Sequence, residues 1–300
     1  MKYVFIINPI SGNDDKAKIF SRIKSTFRLL DDDMILEVTH AHGDAQRISE
    51  EYSKKYGSDC VIVCCGGDGT VHEVANGLCG TDTPVMILPL VRETTLQKSS
   101  MDTKKINVEN VIKAFGFYNG KLKYDVKPID LIDYNGEKCV NVMSYGLDTL
   151  VETIGRKIAG KVPFLGHQAY MLESVKSLAS IKPYHMRVEW DNNVLEEDFV
   201  FGMVTNTRSV GGFKGLVNQS VSLNDGVFEV LLIRMPKTPA DLSNIISYMF
   251  LVEAPNDYVY KFKASSIRFF SENSVDWVLD GEYGGARTEV EIEKPERKDP

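Results

Sequence analysis

The chain has 300 residues, of which 43% are hydrophobic and 26% are charged, and its formal net charge is −7. This length exceeds that of most single domains, so we expect two. The acidic balance offers no general electrostatic reason to bind nucleic acid, and we expect no nucleic acid among the partners. The apolar run Met1–Ile7 is too short for a signal peptide, and no run approaches the roughly 18 residues of a membrane span, so we expect a cytoplasmic protein.

Strands and helices alternate in the first part of the chain. The predicted strands are Lys2–Ile7, Met34–Thr39, Cys60–Cys65 and Pro84–Leu90, and the predicted helices run from about Asp14 to Leu30, over Ala45–Tyr56 with Asp44 as its cap, and over Val71–Leu78. This alternation favours a parallel sheet with helices on both faces, a Rossmann-like α/β domain. Ligands of such sheets bind at the carboxyl ends of strands, which here carry Asn8, Thr39 and Gly66–Thr70.

From about Lys127 the pattern changes to a succession of strands, with hairpin-turn signals at Asn135-Gly136 and Asp191–Asn193. The predicted strands are Ile129–Tyr134, Lys138–Ser144, Met186–Trp190, Asp198–Asn206, Gly226–Arg234, Tyr258–Phe262, Ser265–Phe270, Ser274–Leu279 and Thr288–Ile292. Helical segments interrupt them at Leu147–Ser180 and Thr238–Leu251. We therefore predict a nucleotide-binding α/β domain over 1–127 and a β-rich domain of antiparallel sandwich type over 128–300, with the end of the chain packing back on the first domain.

The cysteines are odd in number and form no C-x-x-C pair, which argues against a zinc site and against a disulfide framework. They are Cys60, Cys64, Cys65, Cys79 and Cys139. We expect the cysteines to be small core residues of a protein in a reducing compartment.

The segment Gly66–Thr70 has the sequence Gly-Gly-Asp-Gly-Thr and connects a predicted buried strand to a helix. Such a connection aims backbone N–H groups and a helix N-terminus at a phosphate, and glycine lets the backbone approach a ligand closely. A tight glycine-rich turn without a ligand is the alternative. The carboxylate of Asp68 and the hydroxyl of Thr70 suit a nucleotide phosphate with its magnesium ion, so we favour a phosphate loop. His72 is expected on the surface of the following helix.

A series of motifs runs along almost the whole chain in a fixed order. They are Asn8-Pro9 with Ser11-Gly12, Thr39–Ala45, Gly66–Thr70 with Glu73 and Asn76–Leu78, Ser144–Asp148, Asn206 with Gly211-Gly212, Leu223–Gly226 and Leu279–Glu282. On these motifs the chain resembles the diacylglycerol kinase catalytic family, which includes bacterial lipid kinases and the sphingosine and ceramide kinases. The resemblance implies an NAD kinase-like nucleotide domain followed by a β-rich lipid-binding domain, and a role in lipid metabolism and phospholipid biosynthesis.

The resemblance also implies roles for individual residues. ATP is expected to contact residues at the strand ends, in the glycine loop and in the following helix, namely Asn8, Thr39, Gly66, Gly67, Asp68, Gly69, Thr70 and Glu73. Arg92 is added to this set for its own charge, because it does not match the family pattern. Glu282 matches the family's proposed catalytic base, which takes the proton of the lipid hydroxyl. On chemical grounds, Asp68 is expected to hold or orient Mg²⁺. Asp225 matches the side-chain ligand of a structural Mg²⁺, which the backbone carbonyls of Ser222 and Val227 complete. Without the resemblance, Glu282 and Asp225 would be interpreted as parts of ordinary turns.

One segment departs from the family pattern. Where the family carries Leu-Pro-Leu-Gly-Thr-x-Asn-Asp, this chain has Val91, Arg92, Thr94 and Thr95 at the glycine, threonine, asparagine and aspartate positions. Valine removes the close backbone approach that glycine allows, whereas Arg92 can bind phosphate as a bidentate cation. Two hypotheses stay open: an ATP-dependent lipid kinase that transfers the γ-phosphate to a diacylglycerol-like hydroxyl, and a pseudokinase that binds nucleotide or lipid without transfer. An NAD kinase is a third, supported by the glycine motif alone.

The sequence does not determine which lipid is the acceptor, because scattered apolar positions would form the pocket that binds acyl chains. Diacylglycerol, phosphatidylglycerol, a sphingoid base and a polyprenol all remain candidates. The resemblance implies transient, peripheral contact with a membrane surface, and it is compatible with a homodimer.

Overall fold

The computed structural model describes residues 1–10, 21, 33–88, 117–118, 121–122, 126–146, 182–207, 222–251 and 257–294. The chain divides into two compact units, and the first changes to the second between Ile129 and Asp130. The predicted helix over 147–180, nearly all of the one over 14–30, and the segment after Lys294 lie outside the described residues. Within the described ranges, no helix is both long enough and apolar enough to cross a membrane.

The first unit contains a four-stranded parallel sheet with the strand order β2-β1-β3-β4. Its elements are β1 (Lys2–Ile7), β2 (Asp33–Val38), α1 (Asp44–Tyr56), β3 (Cys60–Cys65), α2 (Asp68–Leu78) and β4 (Val85–Ile87), followed by the short antiparallel pair β5 (Phe117–Tyr118) and β6 (Lys121–Leu122). The central strands β1 and β3 are apolar on both faces and almost fully buried. This burial is typical of parallel strands, and the predicted parallel α/β fold is confirmed.

Helices α1 and α2 pack closely against each other. A Cβ atom at Gly77 of α2 would overlap the Ser49 hydroxyl and the Gln46 carbonyl of α1. Glycine at this position therefore permits the close approach of the two helices. The contact fixes the relative positions of the loops that precede the helices, and both loops carry candidate site residues.

The second unit contains a nine-stranded sheet whose neighbouring strands pair in antiparallel fashion. Its elements are β7 (Ile132–Tyr134), β8 (Glu137–Cys139), β9 (Val142–Tyr145), β10 (Tyr184–Trp190), β11 (Asn193–Thr205), β12 (Phe228–Arg234), α3 (Pro239–Leu251), β13 (Val259–Ala264), β14 (Ser266–Leu279) and β15 (Glu282–Glu293). Strands β9 and β10 each pair with both β11 and β14, at different places along these two long strands. The predicted β-rich second domain is confirmed.

In two places the structure divides the chain into strands differently from the prediction. The predicted strands Ser265–Phe270 and Ser274–Leu279 are parts of one strand, β14, because a shift in its register against β15 accommodates the residues between them. The predicted strand Lys138–Ser144 is instead divided between β8 and β9 at Val140 and Asn141. The division has a structural role, because both residues donate backbone N–H groups to the turn that follows β14.

Aromatic side chains form the part of the core that lies next to this turn. The Trp277 ring lies 4.9 Å from that of Tyr145, 5.2 Å from that of Phe269 and 5.9 Å from that of Tyr134, measured between centroids. All four side chains are almost fully buried. Buried aromatic contacts of this kind stabilise the end of β14 that leads into the turn.

Candidate active site

The carboxyl ends of the parallel strands bring several predicted site residues to one edge of the first unit. Asn8 follows β1, Thr39 follows β2 and Gly66 follows β3. Backbone hydrogen bonds continue the sheet to this edge, from Asn8 N to the Cys65 carbonyl at 3.1 Å and from Thr39 N to the Ile7 carbonyl at 2.9 Å. The edge is where ligands bind in sheets of this type.

The side chain of Asn8 connects the first strand end to the glycine loop. Its Nδ2 atom donates to the Thr70 hydroxyl at 3.1 Å, and its Oδ1 atom accepts from the backbone N–H of Ile10 at 3.0 Å. Thr70 is 6% exposed. These two residues therefore hold the loop in place, in addition to any contact with a nucleotide.

Gly66 and Gly67 have different surroundings. A Cβ atom at Gly66 would overlap the hydroxyl of Thr70 and come within 2.5 Å of its Cβ. A Cβ atom at Gly67 would meet no other described atom within 4 Å. Gly66 is thus needed for packing, whereas the position of a Cβ atom at Gly67 is open within the described part of the chain.

Helix α2 begins directly after these glycines. Gly67 is its N-cap and supplies no side-chain cap, and Asp68 is a partly exposed residue of the first turn. The first intrahelical bond runs from Val71 N to the Gly67 carbonyl at 3.1 Å. An uncapped N-terminus presents backbone N–H groups and the positive end of the helix dipole to an anion.

Glu73 joins α2 to the start of α1. Its Oε2 atom accepts the backbone N–H of Ala45 at 3.0 Å, and its Oε1 atom lies 3.1 Å from Nδ1 of His42. The side chain is largely buried, whereas that of His42 is exposed. Both oxygens are engaged within the protein, so Glu73 supports the loop after Thr39 rather than pointing freely towards a ligand.

The prediction that Asp44 caps α1 is wrong. The N-cap is Gly43, with φ 85°, and Asp44 is the first helical residue. The Asp44 carboxylate turns back to accept the N–H groups of His40 at 2.8 Å and Ala41 at 3.0 Å, and these bonds lower its pKa. The carboxylate that accepts an N–H of the first helical turn belongs to Glu73, which is too distant in sequence for a local capping pattern to reveal.

The expected surface position of His72 is also wrong, because the residue is 8% exposed. Its Nε2 atom lies 3.3 Å from Nδ2 of Asn76, which also donates to the His72 carbonyl at 3.0 Å. His72 therefore contributes to the packing of α2.

The thiols of the two cysteines at the end of β3 are not candidates for chemistry. The five cysteines all lie within the described residues and form no disulfide bond, as expected. Burial raises the pKa of Cys64 to about 12 and that of Cys65 well above its usual value. Thiols of such high pKa are protonated and unreactive at neutral pH.

The proposed base lies at a hairpin tip in the second unit. Asp280 and Gly281 form a two-residue turn with φ angles of 50° and 96°, and Leu279 pairs with Glu282 across it. Positive φ at both positions is the hairpin geometry that Asp-Gly favours. Glu282 is exposed, and its carboxylate makes no hydrogen bond or ion pair with any other described residue.

The predicted metal ligands lie in the turn before β12. Asp225 Oδ1 accepts the N–H of Val227 at 3.4 Å, and Oδ2 lies 3.7 Å from Nζ of Lys263. The hydroxyl of Ser222 donates to the side-chain oxygen of Asn224 at 3.1 Å. Within the described ranges, no group of three or more His, Cys, Asp and Glu side chains has the geometry of a metal site.

Asp130, which the sequence analysis missed, holds this turn in place. It is 4% exposed, and its Oδ2 atom accepts the N–H of Gly226 at 2.7 Å. Its backbone N–H donates to the Leu223 carbonyl at 2.7 Å, and Lys294 Nζ lies 2.5 Å from its Oδ1 atom. No local signal distinguishes this aspartate, because its partners lie about a hundred residues away.

Carboxylates around this turn outnumber the lysines that contact them. Glu229, 8% exposed, lies 2.9 Å from Lys263 Nζ, yet neither carboxylate oxygen accepts a well-aligned hydrogen bond from the described residues. Burial raises the pKa of Glu229, and the nearby charge of Asp225 raises it further. Two carboxylates thus share one lysine, and one carboxylate with backbone carbonyls is a donor set that suits hydrated Mg²⁺.

Arg92 and the whole segment Val91–Thr95 lie outside the described residues. Of the predicted nucleotide-binding residues, the structure brings together Asn8, Thr39 and the glycine loop at one edge, and Glu73 supports that edge from α2.

Two family models match the chain. The model described as diacylglycerol kinase catalytic domain matches residues 2–99. The model described as YegS C-terminal NAD kinase beta sandwich-like domain matches residues 141–295, which is more than half of the chain. The two matches correspond to the α/β part and the β-rich part of the fold.

Known proteins resemble the chain over most of its length. The diacylglycerol kinase of Bacillus subtilis (strain 168) is 28% identical over 285 residues, covering 93% of this chain and 89% of the relative. The diacylglycerol kinase of Staphylococcus haemolyticus (strain JCSC1435) is 25% identical over 288 residues, covering 93% and 82%. A crystal structure of a diacylglycerol kinase from Bacillus anthracis str. Sterne has a TM-score of 0.70 at 21% identity, covering 98% of this chain and 93% of that chain. At that identity the structural likeness supports the fold.

Proposed function

Because this chain belongs to the diacylglycerol kinase catalytic family of bacterial lipid kinases, we propose that it transfers the γ-phosphate of ATP to a hydroxyl group of a diacylglycerol-like lipid. The observation that carries the proposal is the phosphate loop. Gly66–Thr70 joins a buried strand to the uncapped N-terminus of α2, at the sheet edge that also carries Asn8 and Thr39. Phosphoryl transfer needs such positioning and charge neutralisation more than covalent chemistry.

In this proposal the loop binds the ATP phosphates through its backbone. The N–H groups of Gly67 and Gly69 face phosphate oxygens, and Asp68 orients the magnesium ion that accompanies the nucleotide. The bond between Asn8 and Thr70 supports this role because it keeps the loop rigid before ATP arrives. Arg92 is proposed to contribute a cation from the altered segment after β4.

Glu282 is proposed as the general base. Its exposed carboxylate has no partner among the described residues and can therefore accept a proton from the acceptor hydroxyl. A base must come within about 2.6–3.2 Å of the group that loses the proton. The hydroxyl oxygen then attacks the γ-phosphorus, and ADP leaves with the bridging oxygen.

A structural magnesium ion is proposed at the turn before β12. Asp225 and the backbone carbonyls of Ser222 and Val227 would hold the ion. When bound, it would add positive charge beside Asp225 and Glu229, two carboxylates that both lie close to Lys263. Asp130 supports this role because it fixes the same turn through Gly226.

A lipid acceptor requires contact with a membrane surface. We propose that this contact is transient and peripheral, and that sedimentation with vesicles increases when they contain the acceptor. A homodimer remains part of the proposal and is tested by light scattering of the purified chain.

The function is tested with ATP labelled at the γ-phosphate, magnesium and four sets of vesicles. Each set contains one candidate acceptor, and these are diacylglycerol, phosphatidylglycerol, a sphingoid base and a polyprenol. We expect chromatography to show label in the lipid fraction for diacylglycerol and none for vesicles without an acceptor. Label in a different acceptor would correct the substrate. Tight ATP binding with no labelled lipid in any set would reject the kinase and leave the pseudokinase.

A further inference from the structure

The carboxylate of Asp280 makes contacts that its place in a hairpin turn does not require. The residue is 9% exposed, and its backbone has the positive φ of a turn residue. Three consecutive backbone N–H groups donate to the carboxylate: Val140 N to Oδ2 at 2.7 Å, Asn141 N to Oδ1 at 2.8 Å and Val142 N to Oδ1 at 3.1 Å. The Asp280 N–H donates in return to the Val142 carbonyl at 2.9 Å.

A second turn of the same protein provides the comparison. Asp191 follows β10 as Asp280 follows β14, and its φ of 48° is nearly the same. Asp191 is exposed, however, and its side chain makes no hydrogen bond or ion pair with the residues that the structure describes. The contacts of Asp280 therefore do not follow from the residue type or from the turn conformation.

The segment that Asp280 binds is itself held from its other side. The Asn141 carbonyl accepts the Thr205 hydroxyl at 2.7 Å and the Asn206 N–H at 3.0 Å. Thr205 and Asn206 are almost fully buried at the end of β11. The Asp280 carboxylate thus joins the hairpin tip to a fixed point of the sheet.

We infer that Asp280 is a positioning residue for Glu282. The inference rests on the proposed function, in which Glu282 is the base. The Glu282 carboxylate makes no hydrogen bond or ion pair with any other described residue, so its position depends on the backbone of the turn. Asp280 is two residues away and binds that turn to Val140–Val142, which fixes the direction from which Glu282 approaches the acceptor hydroxyl.

The test compares Asp280→Asn with Asp191→Asn. Both changes remove one charge and keep a residue that tolerates positive φ. An amide has one acceptor oxygen and one NH₂ group, so at least one of the three N–H groups at Val140–Val142 loses its acceptor. Displacement of the base lowers the catalytic rate rather than the affinity for the nucleotide. A shift of about 1 Å can lower the rate on the order of 100-fold.

We expect Asp280→Asn to lower kcat by about 10- to 100-fold while KM for ATP stays within about twofold. Asp191→Asn should keep the wild-type kcat. Rates are measured with the lipid acceptor that the wild-type protein phosphorylates. Each rate is normalised to the fraction of the protein that is folded at the assay temperature, as determined from a thermal melt. A folded Asp280→Asn protein with the kcat of Asp191→Asn would overturn the inference. A wild-type protein without transfer would instead reject the proposed function.

If Asp280→Asn does not fold, Thr205→Val provides the second test. This near-isosteric change keeps the Asp280 side chain and the turn, but it removes the hydroxyl that holds the Asn141 carbonyl. We expect kcat to fall about 3- to 10-fold at unchanged KM for ATP, in line with the loss of one hydrogen bond of about 1 kcal/mol. An unchanged kcat in the folded variant would overturn the inference.

Discussion

At the scale of single residues, two neighbouring glycines serve different purposes. The site of a Cβ at Gly66 is filled by Thr70, whereas the corresponding site at Gly67 is open within the described part of the chain. We expect Gly66→Ala to lower the free energy of unfolding by about 1–3 kcal/mol, because Thr70 must move. Gly67→Ala should change it by less than about 1 kcal/mol and should weaken ATP binding, since the proposed function places the phosphates at this loop.

Urea unfolding measures the loss of stability in Gly66→Ala, and calorimetric titration with ATP measures the loss of affinity in Gly67→Ala. Equal stability of Gly66→Ala and the wild type would show that the loop tolerates a shift of Thr70. Wild-type ATP affinity in Gly67→Ala would remove Gly67 from the phosphate site.

Asp225 is expected to account for the response of the protein to magnesium. A ligand that binds the folded state alone stabilises it by RT ln(1 + [L]/Kd). We expect magnesium to raise the melting temperature of the wild type, and Asp225→Asn to lose most of that increase, because the only proposed side-chain ligand loses its charge. Asp191→Asn is the matched control, since Asp191 is also an exposed turn aspartate. A full magnesium response in Asp225→Asn would place the ion elsewhere or exclude it.

The sequence predicted some of these residues and could not predict others. Asp68 and Thr70 belong to a contiguous pattern whose chemistry is local, so the pattern alone indicated them. Asp280 and Asp130 act through backbone groups about 140 and 100 residues away. Such partners are determined by the tertiary fold, and no local spacing distinguishes these aspartates from ordinary turn residues.

At the scale of elements, one carboxylate links the two helices of the first unit. Glu73 of α2 accepts the N–H of Ala45 in α1, and His42 lies against its other oxygen. We expect Glu73→Gln to lower the free energy of unfolding by about 1–3 kcal/mol, because an amide accepts more weakly and leaves one partner facing an NH₂ group. Glu51→Gln, on the exposed side of α1, should change it by less than about 0.5 kcal/mol.

Denaturant unfolding of both variants measures this difference. The two variants would have equal stability if Glu73 faced solvent or a ligand instead of α1. ATP affinity should fall by about threefold to tenfold in Glu73→Gln, since the loop after Thr39 loses about 1 kcal/mol of support.

Element boundaries were predicted best where local chemistry determines them. Helix α3 begins at Pro239, next to the predicted start at Thr238. A capping box determines this start, because Asp241 N donates to the Thr238 hydroxyl at 3.2 Å and Thr238 N donates to the Asp241 carboxylate at 2.7 Å. At α1 the prediction failed, because Asp44 found its donors in the preceding loop and Glu73 of α2 accepts from Ala45. Tertiary contacts there outweigh the local pattern.

At the scale of the whole molecule, the change from alternating helices and strands to successive strands predicted both halves of the fold. Hydrophobic periodicity was sufficient for this, because both the buried parallel strands and the antiparallel strands leave clear patterns. The pairing of β9 and β10 with the same two long strands was not predictable, since it depends on contacts between distant segments. The predicted site residues of the second unit therefore came from the family motifs, whereas the strand-end residues of the first unit were also indicated by the fold pattern.

The central claim is that Glu282 takes the proton of a lipid hydroxyl during phosphoryl transfer from ATP. It is tested most directly by the rate of labelled-phosphate transfer to lipid in Glu282→Gln and in Glu289→Gln. Both residues are exposed glutamates of β15, so the second variant is a matched control. We expect Glu282→Gln to lose about 100-fold or more in kcat with ATP affinity nearly unchanged, and Glu289→Gln to keep the wild-type rate. Equal rates in the two variants would contradict the claim.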